Sequence, residues 1–312
     1  MVEFGLVVWK TLDLGQYSYD VIRKLALQGE ELGFGSFWLA DHFQAASPKD
    51  PYYECYTTLS AIASETKRIR LGPLVTCVSN RPPSILAKMT STLDVISGGR
   101  LEFGLGAGWD VAEYDAYGIP FPTAPARVQQ VEEAIQIIKK MWTEDESSFE
   151  GRYFRVSKAV NEPKPLQKPH PPVWLGARRG KMLGLVAKYA DGWNMESAFT
   201  PDMFKRKLTV LEEQCKDAGR NVNQIRKSIA VDIIIGKTKA EVDELVKECS
   251  ARFNMRAEEC VAKRIVGTPE QVAERLREYV ELGVDLIICH FVDGHTLRPV
   301  EIFSEMVLPN FK

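Results

Sequence analysis

Two hydrophobic periods alternate along this chain. Short runs that are apolar almost throughout are followed by longer segments in which apolar residues recur every three or four positions. The first pattern is typical of a strand buried on both faces, and the second of a helix with one buried face. The predicted strands are residues 3–9, 36–40, 70–78, 101–106, 173–176, 192–195, 228–235 and 285–291, and the predicted helices are 19–32, 53–64, 84–96, 126–142, 182–189, 202–217, 240–249, 269–282 and 300–308.

Eight strands that alternate with helices in a chain of 312 residues have the size of a (β/α)8 barrel with insertions. We therefore predict an α/β fold, a TIM barrel formed by a single domain over residues 1–312; a doubly wound open sheet is the alternative. The extra length lies after the fourth strand, at residues 110–125, and before the fifth strand, at residues 144–172, where residues 148–154 predict a hairpin. Insertions of this length usually carry function.

Composition and charge narrow the class of protein. The net charge is −2 and no run of like charges occurs, so neither nucleic acid nor a membrane surface is an expected partner. The first residues lack the basic and apolar regions of a signal peptide. The six cysteines are scattered without C-x-x-C spacing, which predicts neither a metal site nor a disulfide framework and favours a cytoplasmic location.

Glycine alternates with other residues in Phe103-Gly104-Leu105-Gly106-Ala107-Gly108-Trp109. Such a run after a strand lets the backbone approach a flat or phosphorylated ligand; a tight barrel turn without a ligand is the alternative. A dinucleotide fingerprint requires a glycine in the sixth place and a helix directly afterwards. This chain has Trp109 in that place, and the following residues, rich in Tyr, Gly and Pro, predict a long loop.

The carboxyl ends of the strands carry the chemistry of a barrel. After the fifth predicted strand, Gly176-Ala177-Arg178-Arg179-Gly180 begins a helix. Backbone N–H groups at a helix start and guanidinium groups together bind anions, so the sequence predicts a phosphate site here. A solvated turn with two arginines is the alternative.

A series of motifs resembles one family in order and spacing. Trp38-Leu39-Ala40-Asp41-His42-Phe43 follows the pattern W-x-x-D-H-F. The other stretches are Arg70-Leu71-Gly72, Val75-Thr76, Leu93-Asp94-Val95-Ile96-Ser97-Gly98-Gly99-Arg100-Leu101, the glycine run, Glu113-Tyr114, Tyr117-Gly118-Ile119-Pro120-Phe121-Pro122, Ala190-Asp191-Gly192-Trp193-Asn194 and Gly267-Thr268-Pro269-Glu270. Together they resemble the luciferase-like monooxygenase superfamily, in particular its oxidoreductases that use the deazaflavin coenzyme F420. The resemblance covers nearly the whole chain and implies a TIM barrel.

The resemblance also implies site residues. His42 is the acid/base group for the substrate, a role that suits an imidazole because it titrates near working pH. Asp41 contacts the polar edge of the cofactor ring. A non-prolyl cis peptide on the third strand forms a backstop behind the ring and falls at Pro73–Leu74, with Gly72–Pro73 as the alternative. The implied cofactor-binding residues are Asp41, Pro73, Leu74, Thr76, Gly106, Ala107, Gly108, Gly176, Ala177, Arg178, Arg179 and Gly180.

One departure from the family pattern bears on the substrate. In the sugar-phosphate dehydrogenases of this branch a glutamate follows the glycine turn as a second acid/base group. This chain has Trp109 there, with Asp110 and Glu113 further along, so a sugar phosphate is not favoured. Trp109 is equally well explained as a packing residue. His170 is expected to be structural, and His290 either lines the substrate pocket or is a core histidine.

We therefore predict an enzyme, an F420-dependent oxidoreductase that transfers a hydride between the cofactor and a small organic substrate. The alternatives are a monooxygenase that uses reduced FMN and O2, and a catalytically silent flavin-binding barrel. The expected partners are a small-molecule substrate and a second copy of the chain in a homodimer.

Overall fold

Parallel strands that curl into a nearly closed barrel form the centre of the molecule. The computed structural model describes residues 2–9, 18–45, 50–196 and 200–311. The strands are β1 Glu3–Val8, β2 Ser36–Leu39, β3 Arg70–Pro73, β4 Thr76–Cys77, β5 Phe103–Gly106, β6 Ser147–Glu150, β7 Arg155–Ala159, β8 Val173–Gly176, β9 Gly192–Glu196, β10 Arg226–Ile235, β11 Ile265–Gly267 and β12 Leu286–Phe291. The helices are α1 Tyr19–Glu31, α2 Cys55–Glu65, α3 Pro83–Ile96, α4 Val111–Ala116, α5 Ala124–Thr143, α6 Gly180–Tyr189, α7 Pro201–Asp217, α8 Lys239–Arg252, α9 Ala257–Ala262, α10 Pro269–Glu281 and α11 Arg298–Met306.

The strand order is that of the predicted TIM barrel. Hydrogen-bonded neighbours run β3-β2-β1-β12-β10-β9-β8-β5-β4, and all of these pairs are parallel. A parallel bridge between Leu71 on β3 and Leu101, two residues before β5, brings the two ends of this order together. An open doubly wound sheet would leave those ends apart, so the alternative is wrong. The third predicted strand is divided into β3 and β4, and β11 pairs with β10 outside the main order.

The strands are buried on both faces, which explains their nearly continuous apolar runs. The lumen of the barrel is filled by a small cluster that includes Val7, Trp38, Trp174, Ala230 and Ile288. The rings of Trp38 and Trp174 meet edge to face, with centroids 6.0 Å apart. The opposite faces of the strands contribute to the large core beneath the surrounding helices. Side chains of successive residues alternate between these two cores.

Two predictions about the insertions have different outcomes. The hairpin is confirmed, because β6 and β7 pair antiparallel. The segment after the fourth predicted strand was expected to be a loop, and this is wrong for its first part, since α4 begins two residues after Trp109. The side chain of Asp110 accepts a hydrogen bond from the backbone N–H of Glu113 and caps this helix. Capping by Asp outweighs the loop-forming composition that follows.

The non-prolyl cis peptide lies one residue further along the chain than expected. It joins Leu74 to Val75, in the interval between β3 and β4, and neither Pro73–Leu74 nor Gly72–Pro73 is cis. Two further short elements, α9 and β11, were not predicted because each is too short for a hydrophobic period to be recognised. None of the described helices combines the length and apolar character required to cross a lipid bilayer.

Candidate active site

A buried carboxylate holds the imidazole of His42 at the carboxyl end of β2. Nδ1 of His42 lies 2.7 Å from Oε2 of Glu113 on α4. Among the described residues, no hydrogen bond uses Nε2 of His42. Since an ionised carboxylate only accepts, Nδ1 carries the proton and Nε2 of the neutral ring is left as the acceptor. This tautomer is the one required of a general base.

Burial and further hydrogen bonds hold Glu113 in place. The residue is 1% exposed. The second carboxylate oxygen, Oε1, accepts the backbone N–H groups of Phe43 at 2.8 Å and Gln44 at 3.2 Å. Glu113 therefore ties α4 to the segment that follows β2.

Glu113 was not among the predicted site residues, although the sequence contained a signal for it. Asp110 and Glu113 are three residues apart after a strand, which is the spacing of a helix cap and the first turn of the helix. Had a helix been predicted at the position of α4, Glu113 would have been a candidate to face the barrel. Its contact with His42 spans 71 positions of the chain and follows from the closed barrel.

The Asp41 carboxylate is enclosed by protein. Nη1 and Nη2 of Arg81 donate to its two oxygens at 2.7 and 2.9 Å, and Nη2 of Arg81 also contacts Glu54 at 2.5 Å. The guanidinium lies over the ring of Tyr56, 4.9 Å from its centroid. Burial raises the pKa of the Asp41 carboxyl, and the charge of Arg81 opposes that effect. The expected contact of Asp41 with a cofactor stays a prediction; in the structure described here, Asp41 anchors Arg81.

Aromatic rings flank His42 on two sides. Trp109 lies edge-on to the imidazole, with ring centroids 5.7 Å apart, and Tyr52 approaches at 6.5 Å. Trp109 is 59% exposed, so it is not a core residue. The alternative that Trp109 is a packing residue of the glycine turn is not supported by this exposure, although its ring does contact His42. An exposed indole beside an imidazole offers an apolar surface to a bound molecule.

The glycines of the turn after β5 are explained by contacts within the protein. A Cβ on Gly106 would stand 2.6 Å from Val75, and a Cβ on Gly104 would stand 2.1 Å from the carbonyl oxygen of Pro73. At Gly108, φ is +73° and a Cβ would meet the Tyr114 hydroxyl at 2.0 Å. The alternation therefore makes room for the segment that contains the cis peptide and for α4. A ligand is not required to explain it.

The residues of the third-strand segment lie together beside this turn. Pro73, Leu74 and Thr76 are buried, and Leu74 belongs to the lumen cluster with Val75 at its edge. The Thr76 hydroxyl is 2.6 Å from that of Tyr56. The segment thus presents an apolar wall to the mouth of the barrel, while its polar side chain is turned to α2. That this wall is a backstop behind a cofactor ring stays a prediction.

The predicted anion site lies at the start of α6. Gly176 ends β8, Ala177 is buried, and Arg178, Arg179 and Gly180 are exposed. Arg179 is the N-cap residue of α6, and no side chain caps the first backbone N–H groups of that helix. Of the residues that the structure describes, none forms an ion pair with Arg178 or Arg179. Uncapped N–H groups beside two arginines can bind a phosphate.

The remaining predicted groups are placed as follows. Nδ1 of His170 donates to the backbone carbonyl of Pro171 at 2.8 Å, and the ring packs on Trp142, which agrees with a structural role. His290 is fully buried and contacts Asp232.

The ligand atoms of His42, Asp110 and Glu113 lie within 4.8 Å of one another, a spacing that could hold a metal ion. Hydrogen bonds within this cluster already use Glu113 and Asp110, so the geometry describes an oriented histidine.

Comparison with known proteins agrees with this architecture. A family model described as luciferase-like monooxygenase matches residues 2–263. The chain is 26% identical to an FMNH(2)-dependent dimethylsulfone monooxygenase of Pseudomonas putida over 99% of this chain and 92% of that protein. It is also 26% identical to an F420-dependent glucose-6-phosphate dehydrogenase of Microbacterium testaceum over 95% of each. A solved F420-dependent secondary alcohol dehydrogenase, in complex with an F420-acetone adduct, superimposes with a TM-score of 0.87 at 20% identity, covering 100% of this chain and 99% of that one. The chain therefore belongs to the luciferase-like monooxygenase family, as its motifs indicate, and is a luciferase-like oxidoreductase.

Proposed function

We propose that this protein is an F420-dependent oxidoreductase that transfers a hydride between the deazaflavin and a small organic substrate. The observation that carries the proposal is the His42–Glu113 pair, in which a buried carboxylate orients an imidazole whose Nε2 has no hydrogen-bond partner among the described residues. Oxidation of an alcohol carbon releases a hydride and a proton. The site offers an acceptor for the proton at the barrel end where chemistry occurs.

His42 acts at Nε2. It accepts the hydroxyl proton as the carbon gives up its hydride, and it returns the proton in the reverse direction. Glu113 then faces an imidazolium, and the 2.7 Å contact becomes an ion pair in a buried environment. When bound, F420 supplies the hydride acceptor or donor. Positioned acid/base groups of this kind accelerate reactions by about 10² to 10⁴.

The residues present fit a deazaflavin or flavin with a phosphate-bearing side chain. Arg178, Arg179 and the uncapped start of α6 would hold the phosphate. The apolar wall formed by Leu74 and Val75 and the turn Gly106–Ala107–Gly108 would lie beside the ring. Relatives support either cofactor, because one is named as an FMNH(2)-dependent monooxygenase and others as F420-dependent enzymes.

A monooxygenase that uses reduced FMN and O2 is the second candidate. The exposed indole of Trp109 favours it, because this apolar residue stands where the sugar-phosphate dehydrogenases carry a second acid/base group. In that function His42 would donate or accept protons during oxygen chemistry. The resemblance of the D-H-F motif to deazaflavin enzymes places the first candidate ahead.

Turnover distinguishes the two candidates. Oxidised F420 is mixed with the protein and a panel of alcohols and reduced pterins, and reduced F420 with activated enones, while the cofactor absorbance is followed. In parallel, oxygen uptake is measured with reduced FMN and the same panel. We expect cofactor-coupled turnover with F420. Substrate-dependent oxygen uptake with FMN, together with no F420 turnover, would move the second candidate to first place.

We also propose a cytoplasmic homodimer. Cys55, Cys77, Cys215, Cys249, Cys260 and Cys289 are all buried free thiols, which is compatible with a reducing compartment. Sedimentation velocity measures the assembly directly, and a monomer across the micromolar range would overturn the dimer.

A further inference from the structure

A second pair of a histidine and a carboxylate lies inside the barrel. Asp232 on β10 and His290 on β12 are register partners on adjacent strands, and Oδ1 of Asp232 is 3.1 Å from Nδ1 of His290. Since side chains alternate along a strand, both residues share the face of Ala230 and Ile288, which belong to the lumen cluster. The pair therefore faces the lumen, above that cluster and toward the carboxyl ends of the strands.

The position of this pair separates it from the predicted cofactor residues. Those residues lie on β3, β4, β5 and β8 and directly after β2. In the strand order, β12 and β10 are separated from β2 by β1 and from β8 by β9. In a closed barrel the pair thus lies across the lumen from the third-strand wall. A molecule bound between that wall and the pair would be held from two sides.

The exposure of the two side chains differs in a way that suggests which one meets a ligand. The His290 side chain is fully buried, whereas the Asp232 side chain is 20% exposed. No described residue other than His290 forms a hydrogen bond or ion pair with Asp232. His290 holds Oδ1, so Oδ2 remains as an acceptor in a lumen that is otherwise largely apolar. Such an oxygen binds an O–H or N–H group and disfavours an anion.

We infer that Asp232, oriented by His290, is a substrate-side subsite that selects neutral molecules bearing a hydroxyl or N–H group over carboxylates and phosphates. The inference rests on the proposed function, because it takes the ring to occupy the third-strand wall opposite. The acidic oxygen of Asp232 on this side of the lumen would repel a phosphate.

Benzyl alcohol and benzoate are suitable probes because they share one ring and differ in the polar group. Their affinities are measured by ligand-observed NMR on the protein saturated with whichever of F420 and FMN it binds more tightly. The wild type is expected to bind benzyl alcohol and to bind benzoate more weakly. In Asp232→Asn, the amide oxygen still accepts from His290 and the amide N–H group now faces the lumen. The ratio of the two affinities is therefore expected to shift toward benzoate by about ten-fold or more.

A change in this ratio identifies a recognition role, since a merely structural defect would weaken the binding of both probes together. Asp243→Asn on the exposed face of α8 makes the same chemical change at a distance and should leave the ratio unaltered. His290→Asn is the second variant, and loss of its orienting bond should reduce the discrimination. The inference is wrong if wild type fails to bind benzyl alcohol, or if Asp232→Asn leaves the ratio unchanged.

Cofactor titrations separate this inference from the function on which it rests. Asp232→Asn should bind F420 and FMN with wild-type affinity. A large loss of cofactor affinity would assign the pair to the cofactor and overturn the substrate role. If wild type binds neither cofactor, the proposed function fails, whatever the probes show on the apoprotein.

Discussion

The two ends of this barrel differ in whether their polar side chains have partners within the protein. At the amino end, the buried carboxylate of Glu102 contacts the guanidinium of Arg70, accepts the indole N–H of Trp174 at 2.5 Å and lies 4.0 Å from Arg226. At the carboxyl end, Nε2 of His42 and the guanidinium groups of Arg178 and Arg179 have no described partners. Satisfied polar groups hold a structure together, whereas oriented groups with spare capacity can act on a ligand.

The largest effect is expected at His42. His42→Asn keeps a hydrogen-bonding side chain but cannot titrate, so kcat should fall by about 10² to 10⁴. The free energy of unfolding and most of the cofactor affinity should be retained. His170→Asn at the amino-side turn before β8 is the control. Wild-type turnover by His42→Asn on any working substrate would mean that water or another side chain carries the proton.

Glu102 should show the reverse behaviour. Glu102→Ala leaves Nε of Arg70 and the indole N–H of Trp174 without their acceptor, whereas Nη2 of Arg70 keeps its own acceptors. The loss of one partner from a buried ion pair costs about 3 kcal/mol of unfolding free energy or more. Denaturant unfolding measures this loss, and kcat of the folded fraction should be nearly unchanged. The matched variant Glu3→Gln removes an exposed partner of Arg226 and should cost about 0.5 kcal/mol or less. Equal losses in the two variants would contradict the distinction between the ends.

Glu113 lies at the carboxyl end of the barrel and also stabilises the local structure between α4 and β2. Glu113→Gln removes the charge that faces the imidazolium and should lower kcat by about 10²-fold, a value below the loss at His42 but of the same kind. Steady-state kinetics should show this change in kcat with little change in KM. Asp115→Asn, on the exposed side of α4, is the control. If only stability falls and kcat holds, Glu113 is no more than a brace between α4 and β2.

The smallest effect is expected at the start of α6. Replacing Arg178 and Arg179 by Ala should weaken cofactor binding by about ten-fold and flatten its dependence on salt, because charge-assisted contacts to an anion are lost. Removing two charges from the surface of α7, with Lys205→Ala and Arg206→Ala, should have no such effect. Unaltered affinity in the first double variant would make the arginines solvated surface residues.

The sequence revealed more of the barrel than of the site. Strand positions follow from hydrophobic runs, and for β8 the predicted and observed bounds coincide at Val173–Gly176. The pairings of His42 with Glu113 and of Asp232 with His290 cross 71 and 58 positions, and nothing local encodes them. The glycines after β5 also show what could not be predicted from the sequence alone. Their pattern was visible, but its causes are tertiary contacts with Pro73, with Val75 between β3 and β4, and with Tyr114 on α4.

Equilibrium titration of the wild-type protein with F420 and with FMN tests the central claim most directly. We expect F420 to bind at least about ten-fold more tightly than FMN, a difference of about 1.4 kcal/mol in binding free energy. Equal affinity, or tighter binding of FMN, would contradict it.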